Sequence, residues 1–259
     1  MTALLASVTD PQEALLALRG GADIIDLKDP ARGALGAVSS EVQRSVIRVI
    51  GGRRPVSATV GDLPMSAHVI AAAIEATAAT GVDLVKVGLF ERYPAPDILN
   101  ALAAAGAGGI RVVAVLFADQ YPPLHLLEPL RRAGCAGLML DTADKTRGGL
   151  AAHLDRDTLA AFVRRGKRLG LLTGLAGSLQ AADIPPLVAL GPDYLGFRSA
   201  LCRGAIRTSD LSETAVANIR AQLDAAAHAA CPTALPAAST GSPEWTTTRS
   251  ACGRDGEQA

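Results

Sequence analysis

Short apolar runs rich in leucine and β-branched residues alternate with longer amphipathic segments between residues 3 and 224. Such near-continuous apolar runs are typical of strands that are buried on both faces. The predicted strands are Ala3–Val8, Ile24–Leu27, Val56–Val60, Leu84–Leu89, Val112–Leu116, Gly137–Leu140, Leu169–Leu175 and Tyr194–Phe197. Eight strands are the number that a closed parallel barrel needs.

Each apolar run is followed by a segment whose apolar residues recur at helical spacing. The predicted helices are Pro11–Leu18, Ser40–Ile50, Met65–Thr80, Pro96–Ala104, Leu124–Ala133, Asp157–Arg168, Gln180–Leu190 and Leu211–Asp224. Asp10 and Asp157 stand where helix N-caps are expected, and glycine follows several segments where a helix should end. Strict alternation of strand and helix indicates a parallel sheet.

This pattern predicts an α/β protein, a single (β/α)8 TIM barrel over residues 1–225. An open doubly wound sheet is the alternative, but neither a G-x-G-x-x-G nor a G-x-x-x-x-G-K motif follows the first strand. Residues 226–259 are rich in Ala, Thr, Ser, Pro and Gly. We expect them to form a disordered tail, because such a composition buries too little apolar surface to fold.

Charge and composition exclude several classes of partner. Lys plus Arg and Asp plus Glu are both 25, so the net charge is zero and a nucleic-acid partner is not expected. No apolar run approaches the roughly 20 residues that cross a bilayer, so we expect a cytoplasmic protein without a membrane partner. Cysteines and histidines are scattered without the spacing of a metal site, so no metal is expected.

The basic residues are unevenly divided between 21 arginines and four lysines. Lys28, Lys86 and Lys145 lie in or soon after predicted strands, whereas Lys167 lies on a predicted outer helix and is expected to be solvated. An amine can lose its proton and form an imine with a carbonyl group, which a guanidinium cannot do. The three lysines at the strands therefore indicate amine chemistry.

Carboxylates accompany these lysines at the ends of even-numbered strands. Asp26 and Lys28 are two residues apart and share one face of the second strand. Lys86 is embedded among apolar residues of the fourth strand, and Asp141 ends the sixth strand with Lys145 four positions later. The carboxyl ends of barrel strands surround one opening, so these five side chains are predicted to form a catalytic site.

Each of these residues also has a purely structural interpretation. Asp26 and Lys28 could form an internal salt bridge, the Lys86 ammonium could extend to one end of the barrel, and Lys145 could be a solvated loop cation. The convergence of three of the four lysines on one opening favours the catalytic interpretation.

Glycine and serine follow the last two strands, where barrels commonly bind a phosphate group through backbone N–H groups. Gly177 and Ser178 come after strand seven, and Gly196, Arg198 and Ser199 come at the end of strand eight. We expect these five residues to bind phosphate, with Arg198 making bidentate contacts. An ordinary Gly-Ser turn is the alternative for each loop.

Two further segments are expected near the mouth of the barrel. Ser57, Thr59 and Asp62, at the end of strand three, are predicted to lie within reach of the lysines. The Gly-rich loop over residues 28–37 either closes over a substrate or is a plain connection.

Five motifs in order, "GGADIIDLKDPARGALGA", "VSATVGD", "GVDLVKVGL", "MLDTADK" and "GLAGSLQAADIP", carry a resemblance to a known family. The chain resembles the (5-formylfuran-3-yl)methyl phosphate synthases of methanofuran biosynthesis from about residue 4 to 207. The resemblance implies a TIM barrel that joins two molecules of glyceraldehyde 3-phosphate into 4-(hydroxymethyl)-2-furancarboxaldehyde phosphate, without a metal or organic cofactor.

The same resemblance implies roles for single residues. Lys28, in the DLKDP motif, would form the Schiff base, and Lys86, in VKVGL, would accept the proton. Asp26, Asp141 and Lys145 match further polar positions of the family's site.

Other functions remain open for these residues. A simpler class I aldolase or an isomerase of triose phosphates would use the same lysines, and a non-catalytic barrel could bind a phosphorylated metabolite for regulation. Self-association into a homo-oligomer is also left open.

Overall fold

The computed structural model describes residues 1–120 and 124–230 of the protein. Within these residues, eight parallel strands are hydrogen-bonded in the order β1 to β8 and close into a barrel. The strands are β1 (Ala3–Val8), β2 (Ile24–Leu27), β3 (Val56–Thr59), β4 (Leu84–Leu89), β5 (Val112–Phe117), β6 (Gly137–Asp141), β7 (Leu172–Leu175) and β8 (Tyr194–Phe197). The predicted fold class is therefore confirmed.

Helices follow the strands on the outside of the barrel. They are α1 (Pro11–Arg19), α2 (Ser40–Ile50), α3 (Ala67–Ala78), α4 (Pro96–Ala107), α5 (Leu127–Arg132), α6 (Leu150–His153), α7 (Arg156–Arg168), α8 (Ile184–Val188) and α9 (Glu213–Ala230). The N-cap of α1 is Asp10, as predicted, but α7 is capped by Asp155 and not by Asp157. Asp155 accepts a hydrogen bond from the Thr158 N–H, so α7 begins earlier than the sequence suggested.

Other element boundaries also differ from the predictions. The strand predicted over Leu169–Leu175 begins only at Leu172, because Leu169 caps α7 and Gly170 takes a left-handed conformation with φ of 70°. The helices predicted near residues 124–133 and 180–190 each start with a 3-10 turn, which leaves α5 and α8 short.

The last helix, α9, continues past its predicted end at Asp224 to Ala230. Residues 226–230, which were predicted to belong to a disordered tail, are therefore helical. The rest of that predicted tail, residues 231–259, lies outside the described residues. No helix within 1–120 and 124–230 is both long and apolar enough to cross a membrane.

Apolar side chains fill the interior of the barrel towards the N-terminal ends of its strands. Leu5, Ile24, Leu84, Val113 and Tyr194 belong to this interior cluster. The Tyr194 ring lies directly over β7 at Gly174, where a Cβ atom would come within 2.2 Å of the ring. Because the base of the barrel is packed in this way, polar side chains that point inwards must lie above it, towards the mouth.

Candidate active site

Asp26 stands in the centre of the polar layer above this apolar base, and its side chain is fully buried. The parallel register places Ser7 of β1 and Ser57 of β3 beside it. Both hydroxyl groups donate to the carboxylate, Ser57 Oγ to Oδ1 at 2.6 Å and Ser7 Oγ to Oδ2 at 3.1 Å. A buried carboxylate needs donors of this kind, so the neighbouring strands supply them.

Lys86 completes the hydrogen bonding of Asp26 from β4. Its Nζ donates to Asp26 Oδ2 at 2.9 Å, and the two side chains are only 2% and 0% exposed. Removing two charges from water is unfavourable unless they are paired, and this pair is buried in the barrel interior. The spacing on β2 predicted Lys28 as the neighbour of Asp26, but the structure pairs Asp26 with Lys86.

Lys28 reaches across the mouth of the barrel to β6. Its Nζ lies 3.2 Å from Asp141 Oδ2, and both groups are buried. Lys28 and Asp26 do line the same pocket, as their spacing on one strand face predicted. The ammonium of Lys28 meets Asp141 because a side chain at the end of a strand extends over the opening to other strands.

Lys145 binds the other oxygen of Asp141. Its Nζ lies 2.5 Å from Asp141 Oδ1 and also donates to the backbone carbonyl of Thr142. The loop that carries Lys145 is held by Asp119, whose carboxylate accepts the N–H groups of Ala143 and Asp144. Lys145 is therefore a largely buried partner of Asp141, with its side chain 14% exposed, and not the solvated cation that the sequence left as an alternative.

Two pKa shifts follow from this arrangement. Burial would raise the pKa of Asp141, but the ammonium groups of Lys28 and Lys145 and the N–H of Thr142 hold it well below its ordinary value. Burial lowers the pKa of Lys145, and the charge of Lys28 lowers it further, while Asp141 opposes both effects. Asp141 thus stays ionised, whereas Lys145 loses its proton more easily than a free lysine.

The depressed pKa of Asp141 predicts a dependence of stability on pH. Its folded pKa lies below the unfolded value of about 3.9, so ionised Asp141 stabilises the fold above about pH 4, and this contribution is lost as the pH falls through the folded pKa. We expect Asp141→Asn to be less stable than the wild type near neutral pH, with a difference that narrows below about pH 4. Urea unfolding of both proteins from neutral pH to below about pH 4 measures the difference in the free energy of unfolding. A difference that stayed constant over this pH range would contradict the prediction.

These charged groups line one pocket. Asp26, Lys28, Lys86, Asp141 and Lys145 all contribute to its wall. The structure thus brings together the five residues that were predicted to be catalytic. Within residues 1–120 and 124–230, no group of His, Cys, Asp and Glu side chains is arranged to hold a metal ion.

The end of β8 and the loops after β7 and β8 also line the pocket. Gly177, Ser178, Gly196 and Ser199 all line it. Gly177 and Ser178 have φ angles of 106° and 50°, and their N–H groups have no acceptor in the described part of the chain. A left-handed serine is strained, and such strain is concentrated at functional sites. These N–H groups are available to an anion, and phosphate binding at this loop remains a prediction.

Arg198 also lines the pocket, as predicted, but its donors are bound to other groups of the protein. Its Nε donates to the carbonyl of Arg207, Nη1 to Glu13 Oε2 and the carbonyl of Ser7, and Nη2 to Glu13 Oε1 and the carbonyl of Ser209. An arginine has five N–H donors, and all five are occupied by protein acceptors. Arg198 is therefore a clamp that fixes the loop after β8, and the predicted bidentate contact with phosphate is wrong for this arrangement.

Breaking the clamp should destabilise the fold. Glu13 and Arg198 have side chains only 8% and 10% exposed, so Glu13→Gln leaves a buried charge without its partner. We expect a loss of about 3–5 kcal/mol in the free energy of unfolding, measured with urea. Glu213→Gln, which removes the exposed Arg19–Glu213 pair, is the control and should lose less than about 1 kcal/mol. Equal losses in both variants would contradict the clamp.

The polar residues at the end of β3, Ser57, Thr59 and Asp62, have two different roles. Ser57 binds Asp26, as described above. Thr59 instead donates to the carbonyls of Leu27 and Gly36, and the Asp62 carboxylate accepts the N–H groups of Ala34 and Leu35. Thr59 and Asp62 therefore hold the loop after β2. Thr59 lies beside Lys86 in the register of β3 and β4, but among the described residues neither Thr59 nor Asp62 hydrogen-bonds to a lysine.

Arg207 also lines the pocket, although the sequence did not predict it there. It lies in the irregular loop between β8 and α9 and donates from Nη2 to the carbonyl of Gly33 at 3.1 Å. No motif or periodicity distinguishes it from the other arginines of the chain. Its proximity to the lysines depends on how two loops meet over the barrel mouth.

Comparison with known proteins identifies a family for this arrangement. The sequence model of the 4-HFC-P synthase family matches residues 4–220. A relative from Methylorubrum extorquens is 46% identical over 214 residues, which is 83% of this chain and 88% of the relative. The (5-formylfuran-3-yl)methyl phosphate synthase of Methanopyrus kandleri is 37% identical, over 79% of this chain and 94% of that protein. The corresponding synthase of Methanosarcina barkeri is 32% identical, over 86% of this chain and 99% of that protein.

Solved structures of lower sequence identity share the fold. The phosphoribosyl anthranilate isomerase of Thermus thermophilus has a TM-score of 0.62 at 16% identity and covers 87% of this chain and 99% of its own. A 3-hexulose-6-phosphate synthase has a TM-score of 0.59 at 19% identity, with the same coverage. At such identities the likeness shows the barrel fold alone.

Proposed function

The chain belongs to the 4-HFC-P synthase family, and from this premise we propose that it condenses two molecules of glyceraldehyde 3-phosphate into 4-(hydroxymethyl)-2-furancarboxaldehyde phosphate through a lysine Schiff base. Membership by itself makes the chain a synthase of methanofuran biosynthesis. The substrate, the imine and the role of each residue are parts of the proposal. We further propose that the reaction takes place in the cytoplasm.

The observation that carries the proposal is the convergence of Lys28, Lys86 and Lys145 in one pocket. They are three of only four lysines in the chain, and all three are largely buried with carboxylate partners. A chain that uses arginine almost everywhere else would need no buried amines merely to bind an anion. An amine is required where a carbonyl group is to be converted into an imine.

In the first step, the deprotonated Nζ of Lys28 attacks the aldehyde carbon of one triose phosphate, and water leaves to give an iminium ion. Lys28 lies at the mouth of the barrel, where a substrate can approach it. The positive charge of the iminium would be stabilised by Asp141, which is 3.2 Å from Nζ and remains ionised. A carboxylate whose pKa is held so low is a poor proton donor, so its contribution is electrostatic.

In the second step, the iminium acidifies the C–H bond next to it, and a base removes that proton to form an enamine. Lys86 is the proposed base, and its neighbour Asp26 would pair with the ammonium that results, at the present distance of 2.9 Å. Ser7 and Ser57 keep the carboxylate in place through their hydroxyl groups.

The enamine carbon then attacks the aldehyde carbon of the second triose phosphate. Ring closure and aromatisation follow, and the loss of one phosphoric acid and two waters overall balances the atoms. These steps need a group that both donates and accepts protons. Lys145 suits this task, because burial and the charge of Lys28 lower its pKa and make deprotonation easier.

Two other functions would use the same residues. A class I aldolase or a triose isomerase would stop after one bond or one proton transfer, and only the product would differ. A non-catalytic barrel would bind the phosphorylated ligand without turnover, but three buried amines are more than such binding requires.

Mass spectrometry after incubation with glyceraldehyde 3-phosphate and borohydride tests the proposal. We expect a reduced adduct on Lys28, together with furan absorbance and phosphate release in unreduced samples. An adduct without a furan would favour the aldolase, and an adduct on no lysine would contradict the imine mechanism.

A further inference from the structure

We propose that Arg207 binds the phosphate group of the substrate at the mouth of the barrel. The inference rests on the proposed function, which makes the substrate a phosphate ester. It assigns to Arg207 the contact that the sequence pattern had assigned to Arg198.

The donors of Arg207 and Arg198 differ sharply. Among the residues that the structure describes, the Arg207 side chain makes one hydrogen bond, from Nη2 to the carbonyl of Gly33. It has no carboxylate within salt-bridge distance among the residues that the structure describes. Four of its five N–H donors are therefore available to a ligand, whereas all five donors of Arg198 are occupied.

Arg207 is half-buried and lines the same pocket as Lys28, Gly177 and Ser178. The donors of Arg207 that bind no protein group are not cut off from solvent, so an anion that enters the pocket can reach them. Burial lowers the pKa of Arg207, and the charge of Arg198 acts in the same direction, while Asp141 and Asp62 oppose them. A bound anion would offset the free-energy cost of burying the Arg207 guanidinium.

The charges of the pocket point to the same assignment. Three amines face two carboxylates, so Lys28, Lys86 and Lys145 leave at most one positive charge beyond Asp26 and Asp141. Deprotonation of Lys28 for nucleophilic attack removes that excess.

A phosphate monoester carries nearly two negative charges at neutral pH. Arg207 supplies a positive charge that is present whether or not Lys28 has lost its proton. The N–H groups of Gly177 and Ser178 would complete the anion site from the loop after β7.

The clamp described above sets the position of Arg207. Arg198 Nε donates to the backbone carbonyl of Arg207 at 2.8 Å, and Arg198 is itself held by Glu13. Arg198 is thus a positioning residue, and Arg207 is the residue that contacts the ligand.

Binding of glycerol 3-phosphate, measured by calorimetry, tests the assignment separately from catalysis. This ligand has the phosphate of the substrate but no carbonyl, so it cannot form an imine. We expect Arg207→Gln to weaken binding by about 10- to 100-fold, the effect of losing a charged hydrogen bond, and Arg207→Lys to weaken it less. Arg203 is an exposed arginine in the same loop, and Arg203→Gln is the control, which should bind glycerol 3-phosphate with the affinity of the wild type. Unchanged affinity in Arg207→Gln would overturn the inference.

A second readout separates phosphate binding from a structural role for the Gly33 contact. Borohydride trapping on Lys28 is compared for glyceraldehyde 3-phosphate and for unphosphorylated glyceraldehyde. In Arg207→Gln, trapping of the phosphorylated aldehyde should fall while trapping of glyceraldehyde stays unchanged, and equal losses for both would refute the phosphate contact.

The two proposals can fail independently. If no furan forms but Arg207→Gln still binds glycerol 3-phosphate more weakly than the wild type does, the phosphate contact holds and the synthase proposal fails. If furan forms but Arg207→Gln binds glycerol 3-phosphate as tightly as the wild type does, the synthase proposal holds and the phosphate contact fails.

Discussion

Lys28→Arg should lower the rate of furan formation by roughly 10⁴-fold or more, because arginine keeps the positive charge but cannot form an imine. Arginine can still pair with Asp141, so the loss would reflect chemistry and not a missing cation. Steady-state assays of furan absorbance measure the rate, and borohydride trapping should find no adduct at position 28.

Lys167→Arg is the matched control for this variant. Lys167 lies on α7 with its side chain 46% exposed, and its ammonium is 3.4 Å from Asp193. The same replacement there should leave the rate unchanged. If Lys28→Arg kept full activity and an adduct appeared on Lys145, the Schiff base would belong to Lys145.

Lys86→Met should separate imine formation from proton removal. Methionine fills similar space but cannot accept a proton, so we expect turnover to fall by about 10²- to 10⁴-fold. The borohydride adduct on Lys28 should persist, since the nucleophile is intact. Exchange of the C2 proton of glyceraldehyde 3-phosphate in deuterated water, followed by NMR, should be lost.

The single variant also leaves Asp26 buried without its ammonium partner, which could disturb the fold. The double variant Asp26→Asn/Lys86→Met removes both charges and serves as the control. It should fold as stably as the wild type or nearly so, while proton exchange stays lost. Normal exchange in either variant would exclude Lys86 as the base.

The barrel and the residues of the site could be predicted because both leave local signals in the sequence. Alternation of apolar runs and helical segments is a property of neighbouring residues, and it defines the eight strands. The contrast between arginine and lysine usage is visible in the sequence alone, and it singles out Lys28, Lys86 and Lys145. Their positions at the ends of strands then place these lysines at the mouth.

The pairing of these residues could not be predicted, because it depends on distances across the barrel. Asp26 and Lys28 are two residues apart, yet each binds a partner on a different strand. Spacing along one strand determines which face a side chain shares with its neighbour, but not how far its charged end extends.

The arginines after β8 show the same limit. The pattern of strand eight made Arg198 a candidate for phosphate, but its donors are occupied by Glu13, a residue 185 positions away. Arg207 shows no local signal, because its place in the pocket follows from the contact between two irregular loops. Short motifs identify which residues are near a site but not which of their donors remain available.

The burial of the lysines has a practical consequence. Lys28, Lys86 and Lys145 have side chains 9%, 2% and 14% exposed, whereas Lys167 is 46% exposed. Lys167 lies in the last turn of α7, just before β7 begins, and so at the end of the barrel opposite the mouth. Among the four lysines, an amine-reactive resin would therefore attach preferentially to Lys167, and an attachment there would leave the mouth of the barrel facing away from the resin.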